Sequence, residues 1–184
     1  LDVIAGKDEL DSTTIPRDKE SYMLGSSQPL KGKKVGVVKE FFGEGLESGV
    51  AKNIENTIQV LKAQGGEVVE ISLPSIKLAL ACYYIIMPAE VSSNLSRYDG
   101  QRYGYSTKQG ISLEDSYNWS RSEGFGKEAK RRIMIGTYVL SSGYYDAYYK
   151  RAQKLRTKLI NEFNGAFKSV QFLLGPTSPT TAFK

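Results

Sequence analysis

Two residue types that build many active sites are scarce in this sequence. Histidine is absent, and cysteine occurs once, at Cys82. The 184 residues therefore exclude a histidine-based catalytic triad, a histidine-ligated metal site and an internal disulfide among themselves. A single cysteine is typical of a protein from a reducing compartment, so we expect a cytoplasmic protein.

Long apolar runs and nucleotide-binding motifs are also missing. No unbroken apolar run reaches the length of a membrane span and nothing resembles a signal peptide, so we expect no membrane partner. The sequence contains no P-loop, no dinucleotide fingerprint and no metal-ligand spacing. The net charge of +5 favours anionic partners only weakly, because the basic residues are spread along the chain.

Two strands with a helix between them are predicted in the first part of the chain. The β-branched run Lys34–Val38 is typical of a buried strand, and Val68–Ile71 predicts the next one. Between them, apolar residues at helical spacing predict a helix from about Ser48 to Gln64, which ends at a pair of glycines. This order predicts a βαβ unit with parallel strands over about residues 33–73.

A mainly helical part is predicted to follow, over about residues 75–167. Its first helix begins near Ser75 and is apolar almost all round, so we expect it to be buried on most sides. A final short strand is predicted at about residues 170–174. Together the elements predict a single α/β domain over residues 1–184, with part of a mixed sheet and helices packed on it.

The stretch from Ser122 to Tyr149 contains the strongest helical pattern. Gly126 and Gly143 flank a helix with one apolar stripe, and a second long helix is predicted from about Gly143 to Phe163. Basic residues cover the rest of this second helix and predict a solvated face. The apolar stripe of the first helix comprises Ala129, Ile133, Gly136 and Leu140.

Arg132 lies next to this apolar stripe. It is one residue from Ile133, or about 100° of helical rotation, so its side chain could lie half inside the protein. A guanidinium in that position needs an anionic partner. Two interpretations stay open at this point: Arg132 extends to solvent or pairs with a local glutamate, or it binds an anionic ligand.

Several hydroxyl-bearing residues favour structural roles. The serines at 26–27 and 141–142 have no adjacent base to activate them, so turn and helix-cap roles are predicted. Ser112 begins a pattern that resembles a cap before a short helix. Paired tyrosines are expected to lie in the core with their hydroxyl groups at its edge. These pairs are Tyr83-Tyr84, Tyr144-Tyr145 and Tyr148-Tyr149.

The start of the chain, Leu1–Gly6, has the pattern of the last turn of an apolar helix that stops at glycine. We therefore expect the chain to be a piece of a longer protein. Separation from its remainder would leave apolar surface exposed and favour self-association.

Four segments resemble one group of proteins. The residues at 31–46, 83–104, 121–156 and 173–183 are similar to the glutaminase subunits (the A subunits) of bacterial glutamyl-tRNA(Gln) amidotransferases, which belong to the amidase signature family. The resemblance extends over essentially the whole chain. It implies the amidase-signature fold, with a mixed sheet and packed helices.

The resemblance also implies an activity. In that family a serine attacks the side-chain amide of glutamine, while a second serine, on a cis peptide, and a lysine transfer protons. The released ammonia converts Glu-tRNA(Gln) to Gln-tRNA(Gln). The implied partners are subunits B and C, glutamine, and Glu-tRNA(Gln) through the complex. The resemblance also implies that this chain binds no cofactor or metal itself, and that the partner subunit uses ATP and Mg.

For the site residues, the resemblance places the catalytic serines and lysine upstream of Leu1. No catalytic residue is then expected in this chain, which alone should be inactive. Arg132 would bind the α-carboxylate of glutamine, and Tyr83 would line the same pocket. Two alternatives stay open: another amidase-signature amide hydrolase, whose pocket need not hold a carboxylate, and a non-enzymatic basic RNA-binding domain.

Overall fold

The computed structural model of the chain describes residues 1–18, 20–25, 29–109 and 112–183. Its helices and strands confirm the α/β class. The predicted turn role of Ser26 and Ser27 lies outside the described residues. In chain order the elements are α1 (Tyr22–Gly25), β1 (Lys34–Val38), α2 (Ser48–Ala63), β2 (Glu67–Ile71), α3 (Ala79–Leu95), α4 (Leu113–Gly124), α5 (Lys127–Leu140), α6 (Lys150–Ala166) and β3 (Phe172–Leu174).

The chain groups into two compact units. One unit comprises Leu1–Glu70 and Ser169–Lys184, and the other comprises Ile71–Lys168. The second unit corresponds closely to the helical part that the sequence predicts at about 75–167. The prediction that residues 1–184 form one domain stays a prediction.

The first unit is built on the sheet. Its strands lie in the order β2-β1-β3, and β1 pairs with β3 in parallel, with Val35 opposite Phe172. The predicted strand–helix–strand order of β1, α2 and β2 is confirmed. The last strand begins at Phe172 and is shorter than predicted. Just before it, the Gln171 amide donates to the Lys34 carbonyl at 3.0 Å, and the side-chain oxygen of Gln171 accepts the Lys34 amide hydrogen at 2.8 Å.

Helix α2 ends as its glycines predict. Gly65 has a positive φ of 86°, a conformation that favours glycine. The amide of Gly66 then donates to the carbonyl of Leu61 at 3.0 Å, which satisfies a carbonyl that the helix leaves unpaired. The four apolar residues predicted for its core face are half-buried, and they are Val50, Ile54, Ile58 and Leu61.

In the second unit, α3 packs mainly against α5 and also against α6. The close approach of α3 and α5 occurs at Gly136, which is buried. A β-carbon on Gly136 would lie 1.9 Å from the carbonyl oxygen of Pro88, so only glycine fits between the helices in this arrangement. Beside this point, the hydroxyl oxygens of Ser92 and Thr137 lie 2.9 Å apart and share a hydrogen bond.

A buried polar contact attaches α6 to the start of the helical unit. Pro74–Leu78 forms a short 3-10 helix, which leads directly into α3. The carboxylate of Glu162 on α6 accepts hydrogen bonds from the Ser75 amide at 3.0 Å and from the Ser75 hydroxyl at 2.6 Å. Since Ser75 is buried, this carboxylate satisfies donors that water does not reach.

Helix α3 is less buried than its composition predicts. Only Cys82, Pro88 and Ala89 are buried within it, while Tyr83 and Tyr84 are exposed. The prediction of a helix buried on most sides was therefore wrong for this chain. The physical reason is that α5 and α6 cover one side of α3, and no other described element packs on it to the same extent.

The same region corrects the expectation that no apolar segment reaches the length of a membrane span. The helical stretch Pro74–Leu95 has 22 residues and a mean hydropathy of 1.2 over its most apolar window, enough to cross a membrane by length and composition alone. This helical stretch contains no unbroken apolar run of that length, because polar residues interrupt its sequence. Core helices of globular proteins pass the same test, so this finding is weak evidence for a membrane span.

Candidate substrate-binding site

Arg132 lies in the second turn of α5, close to the helix N-terminus. Gly126 precedes the helix in an extended conformation and lets it begin at Lys127. Of the predicted apolar stripe, Gly136 is buried and the other three residues are half-buried, and Arg132 lies beside it with 29% of its side chain exposed. The prediction that Arg132 is half-buried is confirmed.

Helix α3 provides the neighbours of this guanidinium. Tyr83 and Met87 lie four residues apart and therefore on the same face of α3. Nη1 of Arg132 lies 3.3 Å from the Tyr83 hydroxyl oxygen and 3.3 Å from the Met87 sulfur. The two residues that the resemblance places in one pocket are thus in contact, on helices that pack closely against each other at Gly136.

A carboxylate on the same helix binds both tandem arginines. Oε1 of Glu128 accepts from Nε of Arg132 at 2.7 Å and from Nη2 of Arg131 at 2.7 Å. Its other oxygen accepts from Nε of Arg131 at 2.8 Å. Hydrogen bonds from Arg131 and then Arg132 lower the pKa of Glu128 from its ordinary value of 4.5 to about 2, so the carboxylate is charged at neutral pH.

The guanidinium of Arg132 keeps one nitrogen without a partner among the residues that the structure describes. Its Nε is bound to Glu128, and Nη1 contacts both the Tyr83 hydroxyl and the Met87 sulfur, which leaves Nη2. The side chain is 29% exposed, so a ligand can reach this end of the guanidinium. A ligand that takes the place of the weak sulfur contact on Nη1 would meet two parallel N–H groups, which match the two oxygens of a carboxylate.

The structure tests two predictions about surface residues, the cap role of Ser141 and the basic face of α6. Ser141 is the C-cap of α5, and its hydroxyl donates to the Tyr138 carbonyl at 2.7 Å, which confirms a cap role. The basic residues of α6 are exposed, which confirms a solvated face. Within the described ranges, no group of three or more His, Cys, Asp or Glu side chains is arranged to hold a metal ion.

The paired tyrosines are less buried than predicted. Tyr83, Tyr84, Tyr144, Tyr145 and Tyr148 are all between 39% and 48% exposed, so the core position expected for them was wrong. Their rings instead pack on one another at the surface, as in the 5.4 Å edge contact of Tyr83 with Tyr84. These surface rings leave their hydroxyl groups available for polar contacts.

The interpretation that Arg132 pairs with a local glutamate is confirmed, since Glu128 binds its Nε. The sequence analysis did not name this glutamate or Met87 individually. Met87 gives no polar signal, and only its spacing from Tyr83 places it on the same helical face. Glu128, however, precedes Arg131 by three residues and Arg132 by four. That spacing places oppositely charged side chains next to each other on a helix, and it could have identified the pair in advance.

Comparison with curated proteins gives relatives that share one name. The A subunit of the glutamyl-tRNA(Gln) amidotransferase of Caldanaerobacter subterraneus subsp. tengcongensis is 54% identical over all 184 residues. The protein of the same name from Clostridium botulinum is 53% identical over 182 residues. The chain spans 38% of the length of both curated relatives.

Solved structures show the same relationship. The A subunit of glutamyl-tRNA(Gln) amidotransferase from Thermotoga maritima matches with a TM-score of 0.65 and 36% identity, over 97% of this chain and 34% of that protein. A bacterial aryl acylamidase of the amidase signature enzymes matches with a TM-score of 0.61 over 96% of this chain and 34% of its own. At 17% identity, this second likeness shows the fold alone.

These matches confirm the amidase-signature fold that the resemblance implied. The sequence profile of the family described as Amidase matches residues 1–184, which is the whole chain. The chain belongs to the amidase family.

Proposed function

We propose that this chain is part of the glutaminase subunit of a glutamyl-tRNA(Gln) amidotransferase, and that Arg132 and Tyr83 form one wall of its glutamine pocket. The observation that carries the proposal is the contact of the half-buried Arg132 guanidinium with the Tyr83 hydroxyl, which leaves Nη2 without a partner among the described residues. The relatives named as A subunits, at 53–54% identity, support the same enzyme.

The chemistry of glutamine explains why an arginine suits this position. Free glutamine differs from a glutamine within a protein chain by its α-carboxylate and α-ammonium groups. An arginine edge binds such a carboxylate through two parallel hydrogen bonds, whereas lysine offers a single point charge. Tyr83, whose hydroxyl lies 3.3 Å from Nη1, can add a third donor to the same anion.

In the proposed enzyme, this chain and the rest of the polypeptide have different roles. The residues of this chain bind substrate, while the attacking serine, the second serine and the lysine lie elsewhere in the same polypeptide. Subunits B and C are the proposed partners, and one of them uses ATP and Mg to activate glutamate on tRNA(Gln). Protein synthesis places such a complex in the cytoplasm.

The test uses a chimera in which residues 1–184 replace the matched segment of the Caldanaerobacter protein, assembled with the partner subunits of that organism. Amidation of Glu-tRNA(Gln) is measured with glutamine and, separately, with ammonium. Loss of a charged partner costs about 2–5 kcal/mol, so Arg132→Ala should lower glutamine use about 30- to several-thousand-fold. Amidation fed by ammonium should persist, because ammonium bypasses the pocket.

Two further variants control the interpretation. Arg132→Lys keeps the charge and should restore glutamine use only in part. Arg131→Ala should have a smaller effect than Arg132→Ala, since Arg131 lies about 100° further round the helix, is 53% exposed and contributes charge beside Glu128 without contacting the substrate. Normal glutamine kinetics in Arg132→Ala would contradict the proposal. An equal loss with both nitrogen donors would show that Arg132 supports folding or assembly and does not bind substrate.

A further inference from the structure

Glu128 is the one carboxylate among the described residues that hydrogen-bonds both Arg131 and Arg132. Oε1 lies 2.7 Å from Nε of Arg132 and 2.7 Å from Nη2 of Arg131, so one oxygen joins the two guanidinium groups. Charge-assisted hydrogen bonds of this length are the strong ones in proteins. The contact joins side chains four residues apart on one helix, and it holds the Nε side of Arg132.

The nitrogen of Arg132 that binds Glu128 determines which edge of the guanidinium a ligand can use. A guanidinium can bind a carboxylate through its Nε side or through its Nη1–Nη2 end. Glu128 occupies Nε, so a carboxylate ligand meets the Nη1–Nη2 end beside the Tyr83 hydroxyl, where it takes the place of the Met87 sulfur on Nη1. An arginine without this contact would have more accessible rotamers, and a ligand would have to select one of them on binding.

Charge balance explains why two arginines accompany one glutamate. A carboxylate next to Arg132 alone would cancel its charge and repel a second carboxylate. Because Arg131 also binds Glu128, the three side chains together keep one positive charge in excess. The cluster of Glu128, Arg131 and Arg132 therefore stays attractive to an anion while the direction of Arg132 is fixed.

We propose that Glu128 is a positioning residue: it binds Nε of Arg132 and directs the Nη1–Nη2 edge toward the α-carboxylate of glutamine. This inference rests on the proposed function of Arg132. Glu128 itself does not touch the substrate, so its loss should weaken glutamine binding and leave the later steps intact.

The test is steady-state kinetics of the chimera carrying Glu128→Ala, Glu128→Gln or, as a matched control, Glu55→Ala. Glu55 is an exposed glutamate on α2. Removing a residue that orients a metal ligand costs about 10- to 100-fold, and on the same scale Glu128→Ala should raise KM for glutamine by about that factor. We expect little change in kcat and none in amidation fed by ammonium. Glu128→Gln should recover part of the loss, because its amide oxygen still accepts from Nε.

The double variant Glu128→Ala/Arg132→Ala separates this inference from the proposed function. If Glu128 acts through Arg132, its removal adds no further loss once Arg132 is alanine. An unchanged or lower KM in Glu128→Ala, combined with a raised KM in Arg132→Ala, overturns the positioning role and leaves the clamp intact. An unchanged KM in Arg132→Ala overturns the clamp itself. An equal loss with glutamine and ammonium in Glu128→Ala, but not in Glu55→Ala, assigns Glu128 to folding and also overturns the inference.

Discussion

Replacing Gly136 with alanine should force helices α3 and α5 apart. The new β-carbon would lie 1.9 Å from the Pro88 carbonyl oxygen and 2.6 Å from the Ser92 β-carbon. Carbon and carbonyl oxygen in contact lie about 3.3 Å apart, so the helices would have to separate by roughly 1.4 Å. A shift of that size would also break the 3.3 Å contact between Arg132 and Tyr83.

The energetic cost follows from two opposing effects. The nearest atoms belong to backbone, so no rotamer change relieves the clash, and the cost lies in the upper part of the usual range of about 1–3 kcal/mol. The better helix propensity of alanine returns about 1 kcal/mol. We therefore expect the free energy of unfolding to fall by about 2 kcal/mol and Tm by about 4–8 °C.

Gly165 provides the matched control. It lies within helix α6, and a β-carbon built on it meets nothing within 4 Å. Gly165→Ala should therefore raise the free energy of unfolding by about 0.5–1 kcal/mol, which is the opposite sign. The measurement is urea unfolding of the 184-residue chain, followed by circular dichroism. If Gly136→Ala is as stable as Gly165→Ala, the close approach of α3 and α5 is wrong.

Three other predictions test separate parts of the structure. Glu162→Ala should lower the free energy of unfolding by about 1–3 kcal/mol, because the buried amide and hydroxyl of Ser75 lose their acceptor; a urea midpoint equal to wild type would contradict this contact. The Glu128 pKa is lowered in the folded state, so its stabilising effect is present above pH 4.5 and lost as the pH falls towards 2. The difference in Tm between wild type and Glu128→Gln should disappear over that interval, and a difference independent of pH would exclude the ion pairs as its cause. The chain alone should release no ammonia from glutamine, because the resemblance places the nucleophile outside these residues; turnover that persists through stringent purification would refute this.

Local patterns predicted the elements well where the stabilising interactions are local. The limits of α2 and β1 follow from apolar periodicity and from Gly65, whose positive φ only a glycine readily adopts. The cap predicted at Ser112 is confirmed, since its side chain accepts from the Asp115 amide at 3.1 Å. These interactions lie within a few residues of one another, so a sequence contains the information directly.

Burial was predicted less well, because it depends on which elements pack together. The composition of α3 suits a helix covered on most sides, yet this chain covers only one side of it. Tyr83 and Tyr84 are exposed because the other sides of α3 are not covered. For the site, the position of Arg132 beside an apolar stripe was predictable, and its contact with Tyr83 followed from the resemblance. The choice of Nε as the atom that Glu128 binds required the three-dimensional structure.

The most direct test of the central claim compares glutamine with glutamine methyl ester, which lacks the charged α-carboxylate. Release of side-chain ammonia by the chimera is measured for wild type and for Arg132→Ala. If Arg132 binds the carboxylate, wild type should prefer glutamine by about 30-fold or more in kcat/KM, and Arg132→Ala should lose most of that preference. An equal preference in both proteins would show that another group recognises the carboxylate and would contradict the account.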